Sequence, residues 1–131
     1  MYGDVFELAA KIGPKLRLAE PGVYIWGGEP TVILPDNPGN GGRNQSLALA
    51  LSEYLSARDD ISLLVAGTDG TDGPTAAAGG LVDSKTWADP ESARQALDRA
   101  DAGTYLKQHE SLFVTGPTNT NVMDLAIAII D

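Results

Sequence analysis

A chain of 131 residues can form one domain with a substantial core, and 43 % apolar with 21 % charged residues is ordinary for a globular protein rather than a disordered one. The formal net charge of −9, with nine scattered Lys and Arg residues, argues against a nucleic-acid-binding surface built on clustered cations. The sequence has no cysteine, which excludes disulfides, thiolate nucleophiles and cysteine-based zinc sites.

The first nineteen residues favour a short helix rather than a targeting segment. No basic region precedes a continuous apolar run there, and no stretch of the chain approaches the ~18 apolar residues of a membrane span. Asp4-Val5-Phe6-Glu7 has the form of a capping box, and Val5, Leu8 and Ile12 begin a helical face that Gly13-Pro14 interrupts. We therefore expect a lead-in helix and a cytoplasmic protein with no membrane partner.

Two β-rich runs come next along the chain. Val23 to Trp26 and Thr31 to Leu34 are separated by Gly27-Gly28-Glu29-Pro30. This pattern predicts a hairpin with a four-residue loop, whose second strand is bounded by Pro30 and Pro35.

A glycine-rich loop then leads into the most strongly patterned helix. Leu47, Leu51, Tyr54 and Leu55 recur at helical spacing and predict an amphipathic helix of about four turns. Its first N–H groups and the positive end of its dipole should point at whatever the loop from Gly39 to Gln45 encloses. Arg43 at that end requires an anionic ligand or an internal carboxylate, for which Glu29 is the main candidate.

The second half of the chain alternates strands and helices. Residues 61–66 predict a buried strand, 93–100 a helix introduced by Asp89-Pro90, 112–114 a short strand, and 125–130 a buried strand paired near the preceding one. Small residues at 76–80 permit close packing of a loop or helix against the sheet. The pattern predicts an α/β fold, a single three-layer domain with a mixed sheet flanked by helices.

The turn from Gly67 to Pro74 is the strongest candidate for chemistry. It places Asp69 and Asp72 directly after the buried strand, where two carboxylates could bind Mg²⁺ or activate a hydroxyl. The alternative is that one of them, Asp72 in particular, caps the following segment. If strand 31–34 runs parallel to strand 61–66, this turn and the loop from Gly39 to Gln45 emerge at the same sheet edge and form a cleft.

A third polar loop, Thr115 to Asn121, would join the cleft if strand 112–114 is parallel to the others. Each of these loops taken singly is also compatible with ordinary chain reversal. His109 lies in a polar stretch and is expected to be an exposed residue, so no Ser, His, Asp nucleophile set is convincing. Neither a Gly-x-Gly-x-x-Gly nor a Walker A pattern occurs, so ordinary dinucleotide binding is unsupported.

An ordered series of motifs resembles the MOFRL domain, the C-terminal part of type-2 glycerate kinases, which are often labelled hydroxypyruvate reductases. The series is Gly27-Gly28-Glu29, Gly41-Gly42-Arg43-Asn44-Gln45, Gly67-Thr68-Asp69-Gly70-x-Asp72-Gly73-Pro74-Thr75, Ala77-Ala78-Gly79, Val82-Asp83 and Thr115-Gly116-Pro117-Thr118-x-Thr120-Asn121-Val122-x-Asp124. The resemblance covers about residues 20–131, which leaves residues 1–19 as a helix leading in from a preceding domain.

The resemblance implies ATP- and Mg²⁺-dependent phosphorylation of D-glycerate to 2-phosphoglycerate, in a cleft between two α/β domains. This chain would supply one wall, and an N-terminal domain, in the same chain or a separate one, would supply the other. Homo-oligomers are possible. The alternatives are a hydroxypyruvate reductase and a non-catalytic module for ligand binding or subunit interaction.

Under this reading the candidate site residues fall into two groups. Arg43 would neutralise substrate carboxylate or phosphate charge, and Asp69 or Asp72 would hold Mg²⁺ or orient the acceptor hydroxyl. The expected contacts to substrate or anion come from the loops around them: Glu29, Gly41, Gly42, Asn44, Gln45, Thr118 and Asn121.

Overall fold

The computed structural model describes all 131 residues and contains six strands and four helices. In chain order they are β1 (Tyr2–Asp4), α1 (Val5–Leu18), β2 (Gly22–Thr31), α2 (Arg43–Leu55), β3 (Ile61–Gly67), β4 (Gly79–Val82), α3 (Pro90–Asp98), α4 (Ala102–Gln108), β5 (Leu112–Phe113) and β6 (Asp124–Ile130). None of the helices combines the length and hydropathy needed to cross a bilayer.

The strands form one mixed sheet in the order β1-β2-β6-β3-β4-β5. β1 is parallel to β2, whereas every other neighbouring pair is antiparallel. Because β2 and β3 both pair antiparallel with β6, which lies between them, they run in the same direction. The predicted α/β class with a mixed sheet and helices is confirmed.

Buried and more exposed side chains alternate along the central strands, so the sheet has one covered face and one open face. In β6, Ala126, Ala128 and Ile130 are buried beneath the helices, whereas Ile129 points to the other side and is half exposed. One cluster of 24 buried residues joins α1, α2, α3 and α4 to this covered face. The chain thus forms two layers rather than the predicted three, because all four helices pack on one face, and the open face carries exposed Val23, Ile25, Leu81 and Ile129.

The predicted hairpin at residues 23–34 is wrong, because β2 runs straight through Gly27-Gly28-Glu29-Pro30. Gly27 and Gly28 continue the pairing with Leu125 and Asp124 of β6, and the following residues then pair with β1. Residues 32–34 lie outside any strand. The glycines allow the strand to pass close to its neighbours, since the backbone of Met1 occupies the space beside Gly28.

The expected interruption at Gly13-Pro14 is also wrong, because α1 continues to Leu18. Pro14 is exposed and costs the helix a backbone bond, but Ile12, Gly13 and Leu16 on the opposite side are buried. Gly13 gives room to the ring of Tyr54 from α2, which a β-carbon would overlap. Tertiary packing therefore outweighs the local break.

The position of the last strand differs from the prediction. β6 is a buried strand, as expected, but it lies between β2 and β3 rather than near β5, which forms the far edge of the sheet. Three elements, β1, β4 and α4, were not predicted. The small residues at 76–80 do permit close packing, and Gly79 and Gly80 begin β4 beside β3.

We expect Gly13→Ala to destabilise the protein by about 1–3 kcal/mol, because the added methyl group overpacks against Tyr54, although alanine is the better helix former. Urea unfolding measures the effect, with Lys11→Ala on the exposed side of α1 as the control. In a Tyr54→Ala background the same change should cost much less. Equal costs in both backgrounds would contradict the packing explanation.

Candidate functional site

Three loops meet at one edge of the sheet and enclose a cleft of about 330 Å³. The loops after β2 and β3 emerge together because these strands run in the same direction, and the loop after β5 returns to this edge to begin β6. The expected meeting of the loops therefore occurs, although β2 takes the place of the predicted strand 31–34. The cleft is lined by Glu29, Val32, Leu34, Gly41, Gly42, Arg43, Asp69, Thr71, Asp72, Gly73, Pro74, Asn121, Met123 and Asp124.

Arg43, the first residue of α2, is held in the cleft by two carboxylates. Its Nε donates to Asp124 Oδ2 at 2.7 Å, and its Nη1 donates to Glu29 Oε1 at 3.1 Å. Partial burial lowers the pKa of Arg43, but the bond with Asp124 and the charges of Asp124 and Glu29 outweigh it and raise the pKa overall. The expected internal partner Glu29 is present, and Arg43 Nη2 makes no hydrogen bond within the protein.

Asp124 is the functional residue that the sequence reasoning missed. It occurs in the motif series but was given no role, and its carboxylate is buried at the start of β6. Its pairing partner Gly67 leaves room for it, because a β-carbon there would lie 3.3 Å from Asp124 Oδ1. A carboxylate directly before a run of six apolar residues was the available signal, since a charge at the end of a buried strand needs a partner.

Asp72 supplies the anion at the N-terminus of α2. Its Oδ1 accepts from the Asn44 backbone N–H at 2.9 Å, and its Oδ2 accepts from the Gln45 N–H at 2.8 Å and from Gln45 Nε2 at 3.0 Å. Gly42 has no side chain at the place where this carboxyl group packs. Asp72 thus caps a helix, as the alternative interpretation allowed, but the helix precedes it in the chain.

Asn44 and Gln45 lie behind the cleft rather than in its lining. Gln45 Nε2 also donates to Thr75 Oγ1 at 3.0 Å, so this side chain fastens the acidic turn to α2. Asn44 is buried, and its Oδ1 has no hydrogen-bond partner. These two residues were expected to contact a bound anion. Their N–H groups and Gln45 Nε2 instead donate to the Asp72 carboxylate.

Asp69 has a more open position than Asp72. Its Oδ1 accepts from the Thr71 backbone N–H at 2.9 Å and from Thr71 Oγ1 at 3.0 Å, and its Oδ2 makes no hydrogen bond. The backbone and hydroxyl bonds from Thr71, with the charge of Arg43 as a smaller contribution, lower the pKa of Asp69. At neutral pH this is an ionised carboxylate with one oxygen directed to solvent or ligand.

Burial raises the pKa of Asp72, although the N–H bonds from Asn44 and Gln45 act in the opposite direction and nearby Asp124 adds to the rise. The two aspartates of the acidic turn therefore differ in environment. Asp72 has its oxygens engaged by donors, whereas Asp69 retains a free oxygen. This division favours a structural role for Asp72 and leaves Asp69 as the candidate for chemistry.

Thr118 fastens the loop from Thr115 to Met123 to the acidic turn. Thr118 Oγ1 donates to the Thr68 carbonyl, and the Thr118 N–H donates to the Asp69 carbonyl at 3.3 Å. Asn121 lines the cleft and its Oδ1 accepts from the Met123 N–H at 2.9 Å. Of these two candidates, Asn121 reaches the cleft, whereas Thr118 orders the wall.

His109 lies far from the cleft, at the end of α4. It is half-buried rather than exposed, because its ring stacks on Tyr105 at 4.0 Å and its Nδ1 lies 2.9 Å from the Tyr105 carbonyl. No three Asp, Glu or His side chains of the chain converge closely enough to hold a metal ion.

We expect Asp72→Asn to destabilise the protein by about 1–3 kcal/mol, because the amide group cannot accept from both N–H donors of α2 and one is left unpaired. Urea unfolding gives the cost, and hydrogen exchange of the Asn44 and Gln45 amides locates it. Asp98→Asn, on the exposed side of α3, is the matched control. Unchanged exchange at both amides would contradict the capping role.

The two aspartates should affect stability with opposite pH dependence. The folded pKa of Asp69 is lowered, so its stabilising contribution is present above the ordinary value of 3.8 and is lost as pH falls through the folded pKa. The folded pKa of Asp72 is raised, so its contribution weakens as pH rises from 3.8 through the folded pKa. Carboxyl NMR titration should place Asp69 below 3.8 and Asp72 above it; the reverse order would refute the assignment.

Comparison of the sequence with known proteins points to one family. The sequence model of the MOFRL family matches residues 22–124. The chain is 47 % identical over 117 residues to D-glycerate 2-kinase of Thermotoga maritima, covering 86 % of this chain and 28 % of the relative. It is 39 % identical over 123 residues to a putative hydroxypyruvate reductase of Agrobacterium vitis, covering 88 % of this chain and 31 % of the relative.

The fold agrees with a solved structure of this group. The crystal structure of glycerate kinase from Thermotoga maritima superposes with a TM-score of 0.89 at 38 % identity, covering 100 % of this chain and 34 % of that one. The chain thus spans about a third of the length of the proteins it matches. On the motif series, the family match and the shared fold, this chain belongs to the MOFRL family.

Proposed function

We propose that this chain is the C-terminal domain of an ATP-dependent glycerate 2-kinase, which transfers a phosphoryl group to D-glycerate to give 2-phosphoglycerate. One observation carries the proposal: Arg43 and Asp69 share a cleft of about 330 Å³, in a domain that superposes over its whole length on a glycerate kinase. A cleft of this size suits a small sugar acid rather than a large ligand.

Arg43 is the group that would bind the substrate anion. Its guanidinium keeps its charge at all relevant pH values, and its unbonded Nη2 leaves a donor for a carboxylate or phosphate oxygen. Because Asp124 holds the inner nitrogen, the charge is positioned before the ligand arrives. Charge neutralisation and positioning are the main contributions that a protein makes to phosphoryl transfer.

Asp69 would orient the acceptor hydroxyl. Its bonds from Thr71 fix the carboxylate through Oδ1 and leave Oδ2 to accept from a hydroxyl. Its lowered pKa keeps it ionised, so at neutral pH it acts as a hydrogen-bond acceptor and a weak base. Gly41, Gly42 and Asn121 would complete the wall around the substrate.

The residues of this chain do not by themselves fit a Mg²⁺ site. Asp72 is engaged by three N–H donors, Asp124 is engaged by Arg43, and no three acidic or histidine side chains converge. Asp69 could contribute one oxygen at most in this arrangement. We therefore assign no step of the reaction to Mg²⁺, and the expected metal role of Asp72 is not supported by this geometry.

The charge of the cleft supports the need for a second domain. Glu29, Asp69, Asp72 and Asp124 face a single cation, Arg43, so the wall is negative overall. The phosphates of ATP are anions and need cations that this wall does not provide. We propose that an N-terminal domain, in the same chain or a separate one, supplies them, and that the isolated chain is inactive.

The cytoplasm remains the expected compartment.

A hydroxypyruvate reductase is the second candidate, favoured by the name of the Agrobacterium vitis relative. It requires a nicotinamide cofactor, but the loop before α2 lacks the dinucleotide fingerprint, and β2 and β3 are not joined as adjacent parallel strands. The third candidate is a non-catalytic binding module, which would bind glycerate without turnover.

A domain exchange tests the three candidates. Replacing the matching third of the Thermotoga maritima glycerate kinase by this chain uses the superposition of the two folds. Glycerate-dependent ADP formation by the chimera supports the kinase, whereas hydroxypyruvate-dependent NAD(P)H oxidation supports the reductase. A folded chimera that binds glycerate and does neither supports the binding module.

In an active chimera, Arg43→Ala should lower kcat/KM for glycerate by about 10²–10³-fold because a preorganised cation is lost. Asp69→Asn should lower kcat by about 10²-fold or more because the acceptor hydroxyl loses its orienting base. Arg94→Ala, on the exposed side of α3, removes a cation outside the cleft and should leave both constants unchanged. Unchanged turnover in Arg43→Ala would contradict the assignment of Arg43 to binding the substrate anion.

A further inference from the structure

We propose that the two carboxylates on Arg43 have opposite functions: Asp124 is a permanent anchor, and Glu29 is an exchangeable partner that an anionic ligand group displaces. The inference rests on the proposed function for the class of ligand, a carboxylate or phosphate of a small sugar acid. It deepens that function by naming Asp124 as a positioning residue and Glu29 as an internal competitor of the substrate.

The geometry of the two ion pairs is unequal. The Asp124 side chain is 4 % exposed and accepts from the inner nitrogen Nε at 2.7 Å, whereas Glu29 is 51 % exposed and accepts from the terminal nitrogen Nη1 at 3.1 Å. A short, buried, charge-assisted bond is much costlier to break than a longer pair in contact with water. The weaker pair is therefore the one that can be exchanged.

The position of each carboxylate supports the same assignment. Asp124 lies on β6, in the middle of the sheet, where the backbone is held by strands on both sides. Glu29 lies near the end of β2, and its only side-chain hydrogen bond is the one to Arg43. Loss of that bond frees Glu29 to turn into solvent without leaving a buried group unpaired.

Exchange also balances the charge of the cleft. When a ligand carboxylate or phosphate binds across Nη1 and the unbonded Nη2 and takes the place of Glu29, Arg43 keeps two anionic partners, so the partly buried guanidinium is never left with one. Displacement of Asp124 would instead leave an unpaired buried carboxylate near Asp72, whose own pKa is raised chiefly by burial and to a smaller extent by the charge of Asp124. The ligand therefore approaches from the side of Glu29.

The test measures inorganic phosphate binding to the isolated chain by NMR titration, with three variants. Glu29→Gln removes the competing charge and should bind phosphate about two- to fivefold more tightly than the parent chain. Asp124→Asn removes the anchor and should bind about two- to tenfold more weakly, because the ligand must then order Arg43. Glu53→Gln, which removes one surface charge outside the cleft, should match the parent chain.

A spectroscopic readout separates positioning from a merely structural effect. During the titration of the parent chain, the Arg43 Nε–H resonance should keep the position that marks its bond to Asp124, while the Glu29 carboxyl resonance moves to that of a free side chain. Movement of the Nε–H resonance with an unchanged Glu29 signal would reverse the two roles and overturn the inference.

The affinities provide the remaining outcomes. Weaker or unchanged phosphate binding in Glu29→Gln would overturn the inference, since Glu29 would then contact the ligand or play no part. Absence of phosphate binding to Glu29→Gln at millimolar concentrations would overturn it as well. If Asp124→Asn does not fold, the Glu29→Gln result decides alone.

This inference and the proposed function can fail separately. Phosphate binding with the expected order of affinities in a chain whose chimera lacks kinase activity would keep this inference and refute the proposed function. Kinase activity in a chimera whose Glu29→Gln variant has a raised KM for glycerate would keep the function and refute this inference.

Discussion

The bond between the Asp72 carboxylate and the N-terminus of α2 is the interaction on which the cleft depends. It joins two segments that are far apart in sequence, the glycine loop before α2 and the acidic turn after β3. A buried carboxylate satisfies the first N–H groups of the helix and lies at the positive end of its dipole. With this contact in place, Arg43 at the start of α2 and Asp69 of the acidic turn line the same cleft.

The same contact occupies the N-terminus of α2, which would otherwise be open to a ligand. An uncapped N-terminus beside a glycine loop is a ready site for a phosphate or carboxylate ligand. Here the chain provides its own anion, so the backbone donors of Asn44 and Gln45 are used in folding. The proposed contact to the ligand therefore rests on the Arg43 side chain, whose position is controlled by two carboxylates.

Local pattern was sufficient where one physical effect dominates. The leucine spacing of α2 and the apolar run of β3 both require burial, and the structure confirms both elements. Glu29 as a partner of Arg43 was also predictable, because a cation at a helix N-terminus needs an anion. The acidic turn was correctly placed at the cleft.

Local pattern failed where distant contacts decide. Gly27-Gly28 has the composition of a turn, but pairing with β6 keeps it extended, and Gly13-Pro14 has the composition of a helix break, but the Tyr54 ring packs over Gly13 and the helix continues. The amino-acid sequence thus determined which segments carry a core face and which loops carry polar groups, since both follow from periodicity and composition. Only the tertiary structure decided that β6 enters the middle of the sheet. That placement brings Asp124 to Arg43, while the packing of α2 against the acidic turn engages Asp72 and leaves Asp69 open, because hydrogen-bond partners and burial are set by neighbours remote in the chain.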